Sequence, residues 1–276
     1  TTATENVAIG GDAMSLVQAG QAITGVVAIG QNALKGGSTT TGANGTIAIG
    51  KDSLKALTSG GGNIAVGFEA GLLVTDNTDN VMIGHQAFNA SDSGDSENVV
   101  IGSNAGGAIN HGSSDGNVLI GLSAGLGGAA ALADCVVIGK NAMKSTAGNA
   151  QSGTVAIGKE ALNALTTGEK NTAVGHEALK NCDDGIYNTA LGYQALTANA
   201  GNNNVGLGYL ALRATTGAQN TAVGAYASHN IGGGGNNVSL GMNSLLDVVD
   251  GSQNVAIGSQ AIGGTLGTTA DNASDL

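Results

Sequence analysis

The chain of 276 residues contains no proline and no tryptophan, and its only aromatic residues are four Tyr and two Phe. Large side chains supply much of an ordinary globular core, so a core of that kind is excluded. Charged residues make up 11% of the chain, against about 25% in typical proteins, which excludes a charge-solvated disordered chain. The remaining apolar residues are mostly Ala, Val, Ile and Leu. They predict a thin core built from small side chains.

Basic residues are also few, with nine Lys and Arg against twenty Asp and Glu, a net charge of −11. Phosphate binding needs a clustered basic surface, so we expect no nucleic-acid partner. Docking on anionic lipid is disfavoured for the same reason. No apolar run is long enough to cross a membrane, so we expect no membrane insertion by this segment. Thr1 to Glu5 lead directly into a repeat, which suggests a mature region or an excised segment.

The chain has two cysteines, too few for a disulfide framework. Cys135 and Cys182 fall two to three coils of the repeat apart, or roughly 10–14 Å at the spacing of strands in a sheet. A disulfide needs Cα atoms within about 7 Å. We therefore expect no bond between them.

What the chain has in abundance is glycine, with 49 residues, and one short motif in fifteen copies. Each copy contains an anchor glycine, which we number position 0. The anchors recur every 16 to 20 residues, and the length varies only outside the motif. Self-similarity at this period is typical of solenoids. The anchors are Gly10, Gly30, Gly50, Gly67, Gly84, Gly102, Gly121, Gly139, Gly158, Gly175, Gly192, Gly208, Gly224, Gly241 and Gly258.

The residues around the anchor predict two short strands joined by a turn. Position −1 is Ile, Val or Leu in all fifteen copies, and position −3 is always β-branched. These positions share one face of a strand, which we expect to fill the core of the coil. Position +3 is Ala in thirteen copies and position +4 is Leu, Met, Phe or Ile in eleven, which predicts a second strand. The anchor and two mostly polar residues between them predict a turn that faces solvent.

Position −4 is Asn in eleven copies. Stacked about 4.8 Å apart, these side chains could hydrogen-bond from coil to coil as a ladder. Alternatively, each Asn could cap only its own turn. The sequence leaves both arrangements open.

Position −2 is Ala in nine copies and apolar in most of the others, although it points away from positions −3 and −1. A strand that is apolar on both faces is buried on both faces. We therefore predict that position −2 meets the same strand of another subunit in a three-fold bundle. The alternative is a fatter solenoid in which other parts of the same coil cover that face. The predicted trimer-interface residues include Ala8, Ala65, Val100, Leu119, Ala173 and Ala256.

The pattern Asn-x-Ala-Ile-Gly-x-x-Ala, as in Asn6–Gly10 and Asn254–Gly258, covers residues 6–262. It resembles the head repeat of YadA-like trimeric autotransporter adhesins and is similar to repeats of phage tail-fibre proteins. The resemblance implies an all-β fold, a left-handed parallel β-roll of fifteen coils assembled as a homotrimer. Residues 1–262 would form the β-roll, and residues 263–276 an exit segment or junction. The coil is longer than the usual autotransporter repeat, which favours the fibre-type relatives. The 276 residues include neither a heptad stalk nor a carboxy-terminal anchor, so the autotransporter interpretation requires them to be a fragment of a longer protein.

The resemblance implies a non-enzymatic extracellular adhesin or fibre segment, on a virion tail fibre or a bacterial cell surface. It would be a rigid trimeric rod whose partners are its own copies and a host receptor or glycan. The alternative is a purely structural spacer. No Ser/His/Asp or Cys/His grouping recurs, so we expect no catalytic residues and no cofactor. Two phosphate-loop mimics carry a carboxylate, Asp52 or Glu160, where Ser or Thr should stand.

The tyrosines form the candidate receptor-binding site. Tyr193 and Tyr209 occupy position +1 of consecutive coils, and Tyr226 occupies position +2 of the next. Exposed aromatic rings can stack on sugars or anchor a protein partner. Alternatively, the rings only cover glycine-rich backbone. His85 and His176 lie five coils apart, roughly 24 Å, so they cannot share a metal within one chain, and we expect no metal site.

Overall fold

The computed structural model describes residues 4–17, 20–36, 41–91, 93–128, 130–146 and 150–263. The fold is all-β, a parallel β-solenoid of about 14 turns. Positions −3 to −1 of every copy of the motif form a three-residue strand. Two further strands, β8 and β10, contain two residues each, and η1 (Thr41–Ala43) is a short 3-10 helix. The strands are β1 (Val7–Ile9), β2 (Val27–Ile29), β3 (Ile47–Ile49), β4 (Ile64–Val66), β5 (Val81–Ile83), β6 (Val99–Ile101), β7 (Val118–Ile120), β8 (Leu132–Ala133), β9 (Val136–Ile138), β10 (Gln151–Ser152), β11 (Val155–Ile157), β12 (Thr172–Val174), β13 (Thr189–Leu191), β14 (Val205–Leu207), β15 (Thr221–Val223), β16 (Val238–Leu240) and β17 (Val255–Ile257).

The contacts divide the chain into two compact units. Unit 1 comprises Thr1–Ile138 and Ala147–Ala150, and unit 2 comprises Gly139–Thr146 and Gln151–Leu276. In unit 1, β1 to β7 pair in chain order and β7 pairs with β9. In unit 2, β11 to β17 pair in chain order. All these pairs are parallel, and each motif position lies beside the same position of the next coil. Of the exit segment predicted at 263–276, only Gly263 lies within the described residues.

The strands face the opposite way from our prediction. Ala65, Val100, Leu119 and Ala173 at position −2 are fully buried within the chain itself, and Ala256 is 2% exposed. Ala8, in the first strand, is exposed. Positions −3 and −1 are the outward ones, half-buried or exposed. The predicted interface through position −2 is therefore wrong, because the chain's own coil already covers that face.

The core is formed by positions −2, +3 and +4 of successive coils, together with loop residues at position +7 such as Leu57, Ile109 and Leu165, which are fully buried. The hydroxyl of Ser228 (+4) donates a hydrogen bond to that of Ser239 (−2) in the next coil, 2.7 Å away. The +4 side chains, such as Leu162 and Phe88, are fully buried, and so is the +3 alanine Ala161. Alanine at most of the −2 and +3 positions makes the core thin, as the composition predicts.

The predicted second strand does not form. Asn32 and Leu34, at positions +2 and +4, have φ of 57° and 46°, in the left-handed region that a leucine rarely adopts. This conformation recurs in other coils, where it turns the chain instead of extending it. The strain is offset by hydrogen bonds between coils, because Leu34 N–H donates to Ser53 C=O at 2.9 Å. The large residue that the sequence places at position +4 is buried, but the extended backbone that we predicted for it is wrong.

The anchor glycine is required by two independent constraints. Gly10 has φ of +128°, a value that side chains rarely adopt. A Cβ atom placed on it would also lie 2.7 Å from the carbonyl oxygen of Gly30 in the next coil. Only a residue without a side chain allows the coils to stack this closely.

The asparagines at position −4 form ladders, which confirms the first of the two alternatives. In unit 1, Nδ2 of Asn98 donates to Oδ1 of Asn80 at 3.1 Å, and Asn117 donates to Asn98 at 2.9 Å. In unit 2, a longer side-chain run extends from Asn188 to Asn254, and the backbone N–H of Asn188 donates to Oδ1 of Asn171. Nδ2 of Asn98 and of Asn204 also donates to loop carbonyls, so these asparagines join neighbouring coils and fix a turn.

Both cysteines are buried and carry free thiols. Burial, together with the nearby carboxylates of Asp184 and Asp183, raises the pKa of the Cys182 thiol to about 11. Among the residues that the structure describes, no helix is both long and apolar enough to span a membrane.

Candidate functional site

The turn segments, positions +1 to +5 of each coil, hold most of the basic residues of an acidic chain. Eight of the nine Lys and Arg lie there, at positions +1 and +5, with only five of the twenty acidic residues. Eight minus five leaves a formal charge of +3 on the turn segments, whereas the remaining one basic and fifteen acidic residues give −14. The basic residues are Lys51, Lys140 and Lys159 at position +1, and Lys35, Lys55, Lys144, Lys180 and Arg213 at position +5.

In unit 2 the turn segments carry a run of five aromatic rings, which we call the ring ladder: His176, Tyr193, Tyr209, Tyr226 and His229. The first three are at position +1 of consecutive coils, so the coil spacing brings their rings into contact. Centroids lie 5.4 Å apart for His176–Tyr193 and 5.3 Å apart for Tyr193–Tyr209, with interplanar angles of 6° and 13°. Tyr226 meets Tyr209 edge-on at 5.3 Å, and His229 follows at 5.6 Å.

The stacking determines which part of each ring is available to a ligand. Tyr193 has His176 against one face and Tyr209 against the other, so it presents its edge and hydroxyl to solvent. Tyr209 and Tyr226 are also exposed. A hydrogen bond between their hydroxyls raises the pKa of Tyr226. The ladder therefore offers hydrogen-bonding groups and ring edges more than the open ring faces on which a sugar stacks.

The three coils that carry His176, Tyr193 and Tyr209 also form a shallow depression of about 240 Å³, lined by Asn181, Thr197, Ala198, Arg213 and Ala214. These residues occupy positions +5 and +6 of three consecutive coils. Backbone hydrogen bonds between the coils hold them in place: Asn181 N–H donates to Thr197 C=O at 3.1 Å, and Ala198 N–H donates to Arg213 C=O at 3.0 Å. The backbone under the depression therefore has the regular spacing of the solenoid coils.

Arg213 is exposed and is the only arginine of the chain. Within the described part of the chain, it forms no ion pair with a carboxylate. It lies close enough to His229 that burial and the positive charge of Arg213 together lower the pKa of the imidazole. The lowered pKa favours the neutral imidazole, although the carboxylate of Asp247 opposes the shift. His229 in turn contacts Tyr226 of the ring ladder.

Lys180, at position +5, is the contrasting case. Its ammonium contacts Glu177 at 2.7 Å and Glu160 at 2.8 Å. These hydrogen bonds lower the pKa of both carboxyl groups and raise the pKa of Lys180. Gln194 also donates to Glu177. Lys180 is thus paired with two carboxylates of the chain itself, whereas Arg213 has no such partner among the described residues.

Unit 1 has a shorter arrangement of the same kind. Phe68 stacks on His85 at 5.3 Å, and the ammonium of Lys51 lies 5.9 Å from the centroid of the Phe68 ring. An apolar groove of about 470 Å³ follows positions +5 and +6 of the first four coils. Its two lysines, Lys35 and Lys55, form ion pairs with Asp12 and Asp52. The groove therefore has no uncompensated charge.

The structure brings the three predicted receptor-binding tyrosines, Tyr193, Tyr209 and Tyr226, into one surface. Tyr187 is not part of it and lies instead beneath Lys170, 5.5 Å from the ring centroid. The sequence analysis missed the two histidines, although His176 shares position +1 with the tyrosines. No group of three His, Cys, Asp or Glu side chains is arranged to hold a metal within the described ranges.

Comparison with known proteins adds no identification. No protein-family model matches the chain. No curated protein matches it either. The functional argument therefore depends on the geometry above and on the repeat pattern.

Proposed function

We propose that this chain is a non-enzymatic, extracellular adhesin or fibre segment that works as a homotrimer and presents a receptor-binding surface. The resemblance of the repeat to YadA-like head repeats and phage tail-fibre repeats suggests the class and the left-handed winding. One structural observation supports the assembly: each unit has an apolar stripe on its outside, formed by positions −3 and −1 of its coils.

The stripe consists of Val, Ile and Leu side chains, with Thr at position −3 in three coils. In unit 2, Leu191 is 51% exposed and Leu240 is 47% exposed, and the other members are half-buried or exposed. In unit 1, Ile83 is 37% exposed. Contiguous apolar surface of this kind on a soluble protein marks an interaction site.

A second copy of the same chain is the partner that fits best. The stripe repeats once per strand, about every 4.8 Å. A partner that packs against it over many coils must have the same period, and another copy of this solenoid does. Cyclic association of parallel copies would cover the stripe on each chain. The trimer thus remains the proposed state, with positions −3 and −1 in the role that we first gave to position −2.

The mass in solution tests this proposal directly, by light scattering or native mass spectrometry. We expect three times the chain mass of 26.5 kDa. Leu191→Glu combined with Leu240→Glu should convert the trimer to monomers, because both place a charge in the apolar stripe. Met242→Glu is the matched control, since Met242 is 51% exposed at position +1, outside the stripe. It should leave the trimer intact. A monomeric wild-type chain would overturn the proposal.

An adhesion assay distinguishes the proposed adhesin from the purely structural spacer. Three chains carrying the same weak site gain avidity when they bind a surface together. Replacing Tyr193, Tyr209 and Tyr226 with Ser should abolish adhesion to target cells and leave the trimer folded, as measured by circular dichroism and mass. Unchanged adhesion by this variant would favour the purely structural spacer.

A further inference from the structure

We infer that the depression at Arg213, together with the adjacent end of the ring ladder, binds a saccharide that carries a carboxylate. This inference deepens the proposed function and rests on it for its biological setting. The binding site itself lies within unit 2 of one chain.

Charge identifies the acidic group of the ligand. The guanidinium of Arg213 is exposed and has no carboxylate partner within the described residues, although the chain has a net charge of −11. Its planar donors match a carboxylate in a two-pronged geometry. A phosphate monoester, which is close to doubly charged at pH 7, would be repelled more strongly by the acidic remainder of the molecule. A carboxylate is attracted by Arg213 and carries only one negative charge, so the acidic remainder of the molecule repels it less than it repels a phosphate.

The other lining groups identify the body of the ligand. Asn181 supplies an amide on the same floor as Arg213. The hydroxyl of Thr197 donates to the carbonyl of Gln194 at 2.7 Å, so it supplies an acceptor to the ligand. His229, whose imidazole interacts with the charge of Arg213, and Tyr226, whose ring centroid lies 5.6 Å from that of His229, supply ring edges and a hydroxyl nearby. Such groups donate to and accept from hydroxyls, which a sugar carries around its ring. At about 240 Å³, the depression is smaller than the pockets of drug-sized ligands, about 300–1,000 Å³, and suits a single ring.

The regular backbone favours a chain of sugars over an isolated one. The depression spans three coils and lies along the axis on which the ring ladder runs. Neighbouring residues of an oligosaccharide could therefore lie along the exposed hydroxyls of Tyr209 and Tyr193 while one acidic residue is held at Arg213. Backbone hydrogen bonds already hold the coils in place, so binding costs the protein little conformational entropy.

The test uses the whole chain and three acidic probes: oligogalacturonate, a hyaluronan fragment and a sialylated trisaccharide. Tyrosine fluorescence is a suitable signal, because the chain has no Trp and three of its four Tyr lie in the ring ladder. We expect at least one probe to bind. Its methyl ester, which keeps the ring and removes the charge, should bind about tenfold more weakly or worse.

Arg213→Gln should weaken binding of that probe about tenfold or more, by calorimetry. Lys144→Gln is the matched control: Lys144 is an exposed cation at the same position +5 in unit 2, outside the depression. It should leave the affinity unchanged. Equal binding of acid and ester, equal effects of the two substitutions, or no binding by any of the three probes would overturn the inference. Arg213-dependent binding of a short acidic peptide but of no saccharide would do the same.

These outcomes are independent of the test of assembly. Saccharide binding by a monomeric chain would leave this inference standing and overturn the trimer. A trimer that binds no acidic saccharide would do the reverse.

Discussion

The side-chain amide of Asn204 donates a hydrogen bond to Oδ1 of Asn188, 3.1 Å away in the preceding coil, and both residues are buried. Nδ2 of Asn204 also donates to the carbonyls of Gly201 and Gly217, and its Oδ1 accepts from Asn220. One side chain therefore satisfies polar groups of several coils at once.

Asn204→Ala should lower the free energy of unfolding by about 2–4 kcal/mol, because buried donors and acceptors lose their partners. Asn199→Ala is the control, since Asn199 is exposed and accepts one bond, from Asp183 N–H. That change should cost less than about 1 kcal/mol. Urea denaturation followed by circular dichroism measures both, and equal costs would contradict the importance of the ladder.

Replacement of an anchor glycine should be severe. Gly30 has φ of +130°, and a Cβ there would lie 2.6 Å from the carbonyl of Gly50. Gly30→Ala should therefore cost about 2–5 kcal/mol through backbone strain and displacement of the next coil. Gly11 has an ordinary φ and open space around it, so Gly11→Ala should change stability by less than about 1 kcal/mol. Thermal unfolding of the two variants compares them, and similar midpoints would be inconsistent with glycine stacking.

The two faces of a strand should differ in their tolerance of size. Ala173 at position −2 is fully buried, whereas the neighbouring Val174 at position −1 is half-buried on the outside. Ala173→Leu should destabilise the chain by about 1–3 kcal/mol, because the core has no room for the added carbons. Val174→Leu should cost less than about 1 kcal/mol. The reverse order in chemical denaturation would restore our first prediction, that position −2 faces outward.

Cys182 should react slowly while the chain is folded. Burial raises its pKa to about 11, against about 8.5 in an unfolded chain, so the thiolate fraction at pH 8 falls more than about a hundredfold on folding. Iodoacetamide labelling of Cys182, followed by mass spectrometry, should be rapid only in denaturant. Because the folded pKa is the higher one, the thiol contributes stability fully below pH ~8.5 and loses it as the pH rises towards 11. Equal labelling rates with and without denaturant would show that the thiol is accessible.

Part of the ring ladder could be predicted from the sequence. Equal positions in successive coils predict that Tyr193 and Tyr209 are neighbours, and the same rule applied to position +1 would have included His176. His229 could not be found in this way, because it reaches Tyr226 from position +5 of the same coil. That contact depends on the left-handed residues of the turn, such as Tyr226 itself with φ of 56°.

The sequence by itself determined the period, the strand at positions −3 to −1, the need for glycine at position 0 and the small side chains of the core. All of these follow from local spacing, because consecutive coils place equal positions side by side. Only the tertiary structure decided which face of the strand points inward. Alternation separates position −2 from positions −3 and −1, but both sets are apolar, so the pattern does not distinguish inside from outside. The narrow coil does: its interior accepts mainly alanine at position −2 beside the large residue at position +4. The Val, Ile, Leu and Thr side chains of positions −3 and −1 are left on the surface.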